Sequence, residues 1–235
     1  MVITIAGMIG TGKTSLTQIL SDKLKVNAFY EPVEENPVLE QYYADPKHYA
    51  FVLQIYFINK RFDMIKQAML SRNAIVDRSI YEDSLFTRQN FLDGNLHRVE
   101  MDTYESLLKN MLSEVSTLPK KSPDLMIYVK NNFDTIRERI TKRGRDYEQT
   151  TALNDYYKSL LQRYDEFEVG YNASPILTID GSQYDFVDNQ NDQSRVLNII
   201  YDALLEVGSL SQAEHDKLYN SAFDTIEPDT FYIRK

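Results

Sequence analysis

Residues Gly7-Met8-Ile9-Gly10-Thr11-Gly12-Lys13-Thr14 fit the phosphate-cradling pattern G-x-x-x-x-G-K-[ST] at every fixed position. Such a loop aims consecutive backbone N–H groups, and the positive end of the next helix, at an anion. The pattern places Gly7, Met8, Ile9, Gly10, Thr11, Gly12, Lys13, Thr14 and Ser15 around nucleotide phosphates. Lys13 is expected at the β- and γ-phosphates, and the Thr14 hydroxyl on Mg²⁺. Further along stand Glu31 in Glu31-Pro32-Val33, then Asp77-Arg78-Ser79, then Arg139, Arg143 and Arg145 within seven residues.

These groups need elements to hold them. Val2 to Ala6 is a short β-branched run that reads as a buried parallel strand. From Thr14 to about Lys25, Leu16, Ile19, Leu20, Lys23 and Leu24 recur at helical spacing. Four more strands are expected at Asn27–Tyr30, Ala74–Val76, Leu125–Val129 and Ile176–Ile179. Between them run amphipathic stretches, from about Pro46 to Ser71, Tyr81 to Phe91, Arg98 to Leu118, Phe133 to Lys142, Leu153 to Tyr171 and Asp192 to Leu205. Alternating strands and helices imply a doubly wound α/β fold with a parallel sheet of about five strands. Ligands in such sheets sit beyond the carboxyl ends of the strands, which is where Glu31, Asp77 and Arg78 fall.

Composition excludes several classes. No hydrophobic run approaches the ~18–20 residues of a membrane span. No signal-peptide pattern precedes the first strand, and there are no cysteines for disulfides, thiolate metal sites or thiol nucleophiles. A cytoplasmic location is the expectation. The net charge of −9 opposes nucleic acid and anionic lipid, so phosphate binding must depend on a local cationic cluster.

Taken together, the motifs resemble the deoxynucleoside kinase family, over roughly residues 1–207, and most nearly its bacterial deoxyadenosine/deoxyguanosine kinases. The phosphate loop, Glu-Pro-Val, Gln54 followed by Arg61, Asp-Arg-Ser-Ile-Tyr-Glu-Asp at 77–83, and Arg-Gly-Arg followed by Glu148 occur in the family's order and spacing. The resemblance implies a P-loop kinase fold with an arginine-rich lid at about 139–150, and ATP-dependent phosphorylation of a deoxynucleoside 5′-hydroxyl. Glu31 would be the general base, Arg78 would orient it and contact phosphate, and Asp77 would support Mg²⁺ with Thr14. Arg139, Arg143 and Arg145 would form the lid over the transferring group, with Arg143 the direct contact. Guanidinium groups suit that work because they fork onto phosphate oxygens and stay charged.

The same resemblance assigns Gln54 to the base, the Arg61–Asp83 ion pair to its side, and Tyr43 with Glu148 to the sugar 3′-hydroxyl. A side-chain amide offers a donor and an acceptor together, which suits an adenine edge, but a flip serves guanine and cytosine differently. Deoxyadenosine is the expected substrate, with deoxyguanosine or deoxycytidine as alternatives. Taken singly, these residues admit plainer readings: Gln54 a surface amide, Tyr43 a packing aromatic, the arginine trio a solvated helix face. Phe51, Phe57, Phe62 and Phe86 read as core. A nucleoside monophosphate kinase and a non-catalytic regulatory subunit are the competing functions. A homodimer (or a pair of unlike subunits) and feedback by a deoxynucleoside triphosphate are further implications of the family.

Residues 208–235 extend past the last family helix. Ser211-Gln212-Ala213-Glu214 is a capping box, so a short helix is expected to about Ala222, followed by a Pro228 segment and the aromatic end Phe231-Tyr232-Ile233. This extension could pack on the core, cover a subunit interface or stay partly disordered. His48, His97 and His215 lack metal-like spacing and read as solvated.

Overall fold

The computed structural model describes residues 1–31, 33, 36–118, 120, 122–220 and 233–234. Pro32, Ser221, Ala222, Pro228, Phe231 and Tyr232 therefore lie outside the described residues. The sheet contains β1 (Val2–Ala6), β2 (Asn27–Phe29), β3 (Ala74–Asp77), β4 (Leu125–Lys130), β5 (Ile176–Asp180) and β6 (Ile233–Arg234), in the order β2-β3-β1-β4-β5-β6. The first five strands are parallel, as expected, and β6 adds an antiparallel edge to β5. Nothing in so short a tail segment announces that edge pairing in advance.

Side-chain alternation along the strands splits the core in two. Ile3 and Ile5 of β1, with Ile127 and Leu177, face helices α1 (Lys13–Leu24) and α8 (Gln190–Glu206). Val2 and Ala6, with Val76 and Tyr128, face α3 (Pro46–Leu70), α5 (Arg98–Val115), α6 (Phe133–Arg143) and α7 (Asn154–Gly170) on the other side. A short helix α2 (Leu39–Ala44), absent from the sequence expectation, and α4 (Asp83–Leu92) close the group around the strand ends. Each expected helix is present within a few residues, with α5 ending at Val115 rather than Leu118.

The order of strands puts β1 between β3 and β4, so the chain leaves β1 toward one side and later returns on the other. The loop after β1 thus opens into the crevice where strand order reverses, the usual ligand position in such sheets. After α8, Ser211 caps α9 (Gln212–Leu218) by accepting from Glu214 N at 3.4 Å, while Glu214 accepts from Ser211 N at 2.8 Å. The helix stops at Leu218, short of Ala222. His215 departs from the solvated reading: it is 8 % exposed, its Nε2 lies 2.7 Å from Asp202 of α8, and it stacks on Tyr219. His48 and His97 are exposed, as expected. Arg234 of β6 donates to the carbonyl of Tyr171 at 2.6 Å and also to those of Glu168 and Val169, so a cation meets the carbonyl end of α7.

Candidate active site

The phosphate loop takes its shape from glycine. Gly7, Gly10 and Gly12 all have positive φ, a conformation only glycine adopts without strain. A Cβ on Gly7 would lie 2.6 Å from the Val129 carbonyl, so the loop could not pass β4 with any larger residue there. Gly12 is left-handed and directly precedes Lys13, the first residue of α1. The Lys13 ammonium donates to the Met8 carbonyl at 2.8 Å across the loop. Burial, with Arg78 nearby, lowers its pKa from the ordinary lysine range to about 7.

Beside the loop lies a cleft of about 510 Å³, within the size range of small-ligand sites. Lys13, Thr14, Glu31, Tyr43, Gln54, Arg61, Asp77, Arg78, Arg143, Arg145 and Glu148 all line it. Its lining holds five cationic side chains against three acidic ones. That local excess is what a chain of net charge −9 needs in order to hold phosphate.

Glu31, just past β2, sits between two guanidinium groups: Arg78 Nε donates to Oε2 at 3.0 Å, and Arg61 donates to Oε1. Burial alone would raise its pKa, but Arg78 and Arg61 outweigh that and hold it down at about 2. Arg78 occupies a left-handed backbone position (φ 75°), a strained setting for an arginine that its contacts must enforce. Those contacts are the Tyr164 hydroxyl at 2.8 Å, Glu82 at 3.8 Å and the Phe86 ring at 4.8 Å. Glu82 itself accepts from Ser79 N at 2.9 Å and from Gly7 N at 3.1 Å, tying the exit of β3 to the phosphate loop.

Thr14 donates to Asp77 Oδ2 at 2.5 Å, while Asp77 Oδ1 is buried without a hydrogen-bond partner. Burial also pushes the Asp77 pKa upward. A hydroxyl beside a half-satisfied carboxylate is an all-oxygen donor set, which fits Mg²⁺.

At the far end, Arg61 pairs with buried Asp83 and lies over the Phe57 ring. Gln54 is 3 % exposed and its Oε1 accepts from Thr87 Oγ1 at 3.3 Å, so the surface-amide reading fails. Tyr43 stacks on Tyr147, and Glu148 is buried beside them with Arg143 and Arg145 as its cations.

The arginine trio divides. Arg139 turns back, donating to the carbonyls of Thr11 at 3.1 Å and Gly181 at 3.0 Å, behind the loop and outside the cleft. Buried backbone acceptors there need a donor. Gly144, left-handed after α6, lets Arg143 and Arg145 reach the cleft. Phe57 sits in a core cluster and Phe86 packs against another, as expected, but both also line the cleft, and Tyr30, Tyr42 and Tyr156 join them unforeseen. Glu82 was open to detection, since Ser79-Ile80-Tyr81-Glu82 spells a capping box; Tyr156 carried no such signal.

A cleft that joins a phosphate loop and an excess of cationic side chains to a buried amide and aromatic rings suits an enzyme that carries phosphate to a small polar acceptor. The chain belongs to the deoxynucleoside kinase family, whose profile matches residues 3–206, and it is accordingly a transferase. It is 50 % identical to a deoxyguanosine kinase of Lactobacillus acidophilus, over 89 % of this chain and 93 % of that one. It is 45 % identical to a deoxyadenosine kinase of the same organism, over 89 % and 99 %. Among solved structures, a deoxyadenosine kinase from M. mycoides with bound dATP superposes with a TM-score of 0.73 at 32 % identity, covering 85 % of this chain and 99 % of that one.

Proposed function

We propose that this chain transfers the γ-phosphoryl group of ATP to the 5′-hydroxyl of a purine deoxynucleoside, deoxyadenosine foremost, giving the monophosphate and ADP. The observation that carries this reading is Glu31, a largely covered carboxylate gripped by Arg61 and Arg78 in the same cleft as Lys13. A monophosphate acceptor is already ionised and needs no carboxylate there, so Glu31 weighs against a nucleoside monophosphate kinase.

The phosphate loop amides and Lys13 take the triphosphate, with Arg143 and Arg145 closing from the lid. Thr14 and Asp77 hold Mg²⁺, which neutralises phosphate charge when bound. Glu31 accepts a hydrogen bond from the 5′-hydroxyl and aims its oxygen; its low proton affinity means that it orients first and receives the proton late. That order suits a loose transition state, in which the nucleophile needs little activation before the bond to the leaving oxygen has lengthened. Gln54 takes the base edge, and Tyr43 with Glu148 takes the sugar 3′-hydroxyl.

A second reading, deoxyguanosine, is favoured by the 50 % identity to a deoxyguanosine kinase. A homodimer and feedback by a deoxynucleoside triphosphate accompany either reading; the M. mycoides enzyme with bound dATP supports the latter. The enzyme acts in the cytoplasm, with 1–207 as its kinase domain and 208–235 as an extension. The test is ADP release with four deoxynucleosides and two ribonucleosides, repeated with Glu31→Gln. Turnover should fall by about 10²–10⁴ in the variant with ATP affinity nearly intact. Equal activity would refute the role of Glu31, and ADP release with dAMP or dTMP alone would refute the acceptor class.

A further inference from the structure

Gln54 does not stand alone. The hydroxyl that donates to its Oε1 belongs to Thr87 of α4, a residue at 0 % exposure. Helices α3, α4 and α5 pack on one another, and α5 brings Tyr104 to the same buried place. Its phenol is fully covered and its oxygen makes no hydrogen bond of good geometry. Burial pushes this phenol up to about 12, and the Thr87 hydroxyl works against that push, as does Arg61. Thr87 thus meets Gln54, which lines the cleft, from a fully buried position.

We propose that Thr87 is a positioning residue that fixes which way the Gln54 carboxamide faces and so biases the base the cleft accepts. This rests on the reading of the cleft as a deoxynucleoside site. A carboxamide has one acceptor oxygen and a two-proton donor nitrogen. The Thr87 hydroxyl, by donating to Oε1, pins the oxygen on its own side. The second lone pair of Oε1 and one N–H then remain for the ligand. That pair matches an edge carrying an amino group beside a bare ring nitrogen, as in adenine and cytosine. Guanine presents the reverse, a carbonyl beside a ring N–H, and asks the amide to turn over.

Turning it over aims Nε2 at Thr87, whose hydroxyl must then accept and send its own proton elsewhere. In that orientation the Thr87 proton loses the Gln54 acceptor it has in the structure, at a fully buried position. A buried donor left unmatched is costly, so the two amide orientations are unequal while this hydroxyl is in place. Removing the Thr87 hydroxyl should bring them closer together.

The experiment compares kcat/KM for deoxyadenosine and deoxyguanosine in the full chain carrying Thr87→Val, Thr87→Ser or Thr87→Ala. The Thr87→Val ratio of deoxyadenosine to deoxyguanosine should fall about tenfold, through the KM of deoxyadenosine, with kcat within about twofold. Thr87→Ser should restore the wild-type ratio. Thr87→Ala should shift the ratio the same way by a similar factor, and carries the test if Thr87→Val does not fold. A ratio within about twofold of wild type, in a variant that melts as wild type does, overturns the inference. The wild-type substrate profile is read separately. If deoxyguanosine is preferred yet Thr87→Val still lowers the ratio tenfold, the base assignment fails and the positioning role stands. If no deoxynucleoside is phosphorylated, the kinase reading fails first.

Discussion

Lys13 should take up a proton when ATP binds, and the uptake can be counted. In the ligand-free protein its ammonium is buried, holds only the Met8 carbonyl and shares the cleft with Arg78. Its pKa falls from 10.5 to about 7, a difference worth on the order of 5 kcal/mol between its two protonation states. Triphosphate oxygens beside it favour the charged form and return the pKa toward its ordinary range. A group whose pKa rises on binding gives its full contribution below the free-state value, and that contribution is lost as pH climbs above it. Binding should therefore be strongest below about pH 7 and weaken by roughly tenfold per pH unit from about pH 7.5 to 9. At pH 8.5 the free lysine is about 3 % charged, so close to one proton should enter per ATP bound. Phosphate itself is fully ionised there, its second pKa being about 6. Titration calorimetry in two buffers of different ionisation enthalpy gives the proton count directly. Lys13→Arg, whose guanidinium stays charged, should show no uptake at pH 8.5. An uptake below about 0.2 protons in the native chain, or an affinity flat from pH 7.5 to 9, would refute the reasoning.

Two other groups make separable predictions. Glu82 is fully buried with two backbone N–H donors and Arg78 around it, so Glu82→Gln, which turns an NH₂ toward a donor, should cost about 2–4 kcal/mol in a urea melt and weaken ATP binding; a loss under about 0.5 kcal/mol would contradict that role. Asp77→Asn removes the charge beside Thr14, so the Mg²⁺ concentration for half-maximal turnover should rise at least about tenfold, while the ligand-free protein melts no lower than wild type because a desolvated carboxylate has gone; an unchanged Mg²⁺ titration would remove Asp77 from the metal set.

What the sequence made legible was whatever is local. The phosphate loop is one uninterrupted segment whose glycines meet their backbone needs within eight residues, and β1 and α1 flank it by pattern alone. Arg61–Asp83 and Gln54 followed a motif to positions that the packing of α3 on α4 then brought together. Contacts between distant segments were not legible. Arg139 and Arg143 lie one helical turn apart and look equivalent, yet the carbonyls of Thr11 and Gly181 draw one away while Glu148 draws the other in. His215 looked solvated because its partner Asp202 lies thirteen residues back, on a helix against which α9 folds. Phe57 and Phe86 sit at core spacing, and their work as platforms beneath Arg61 and Arg78 depends on where those guanidinium groups arrive.

The grip on Glu31 explains a tension in the site. A strong base would need a high pKa, yet two guanidinium groups hold this carboxylate down at about 2. Neutralising either cation alone would raise the proton affinity of Glu31 but leave a buried charge half-paired, a trade that usually costs more than it returns. The arrangement makes sense if ATP itself shifts the balance. Arg78 lies beside Asp77 and within the electrostatic reach of Lys13, so incoming phosphate competes with Glu31 for its guanidinium. On the proposed reaction, phosphate that draws off part of the Arg78 charge would return proton affinity to Glu31 in the ternary complex. The free enzyme would then keep an ionised, paired carboxylate, with basicity appearing where a hydroxyl and a γ-phosphate are both present to use it.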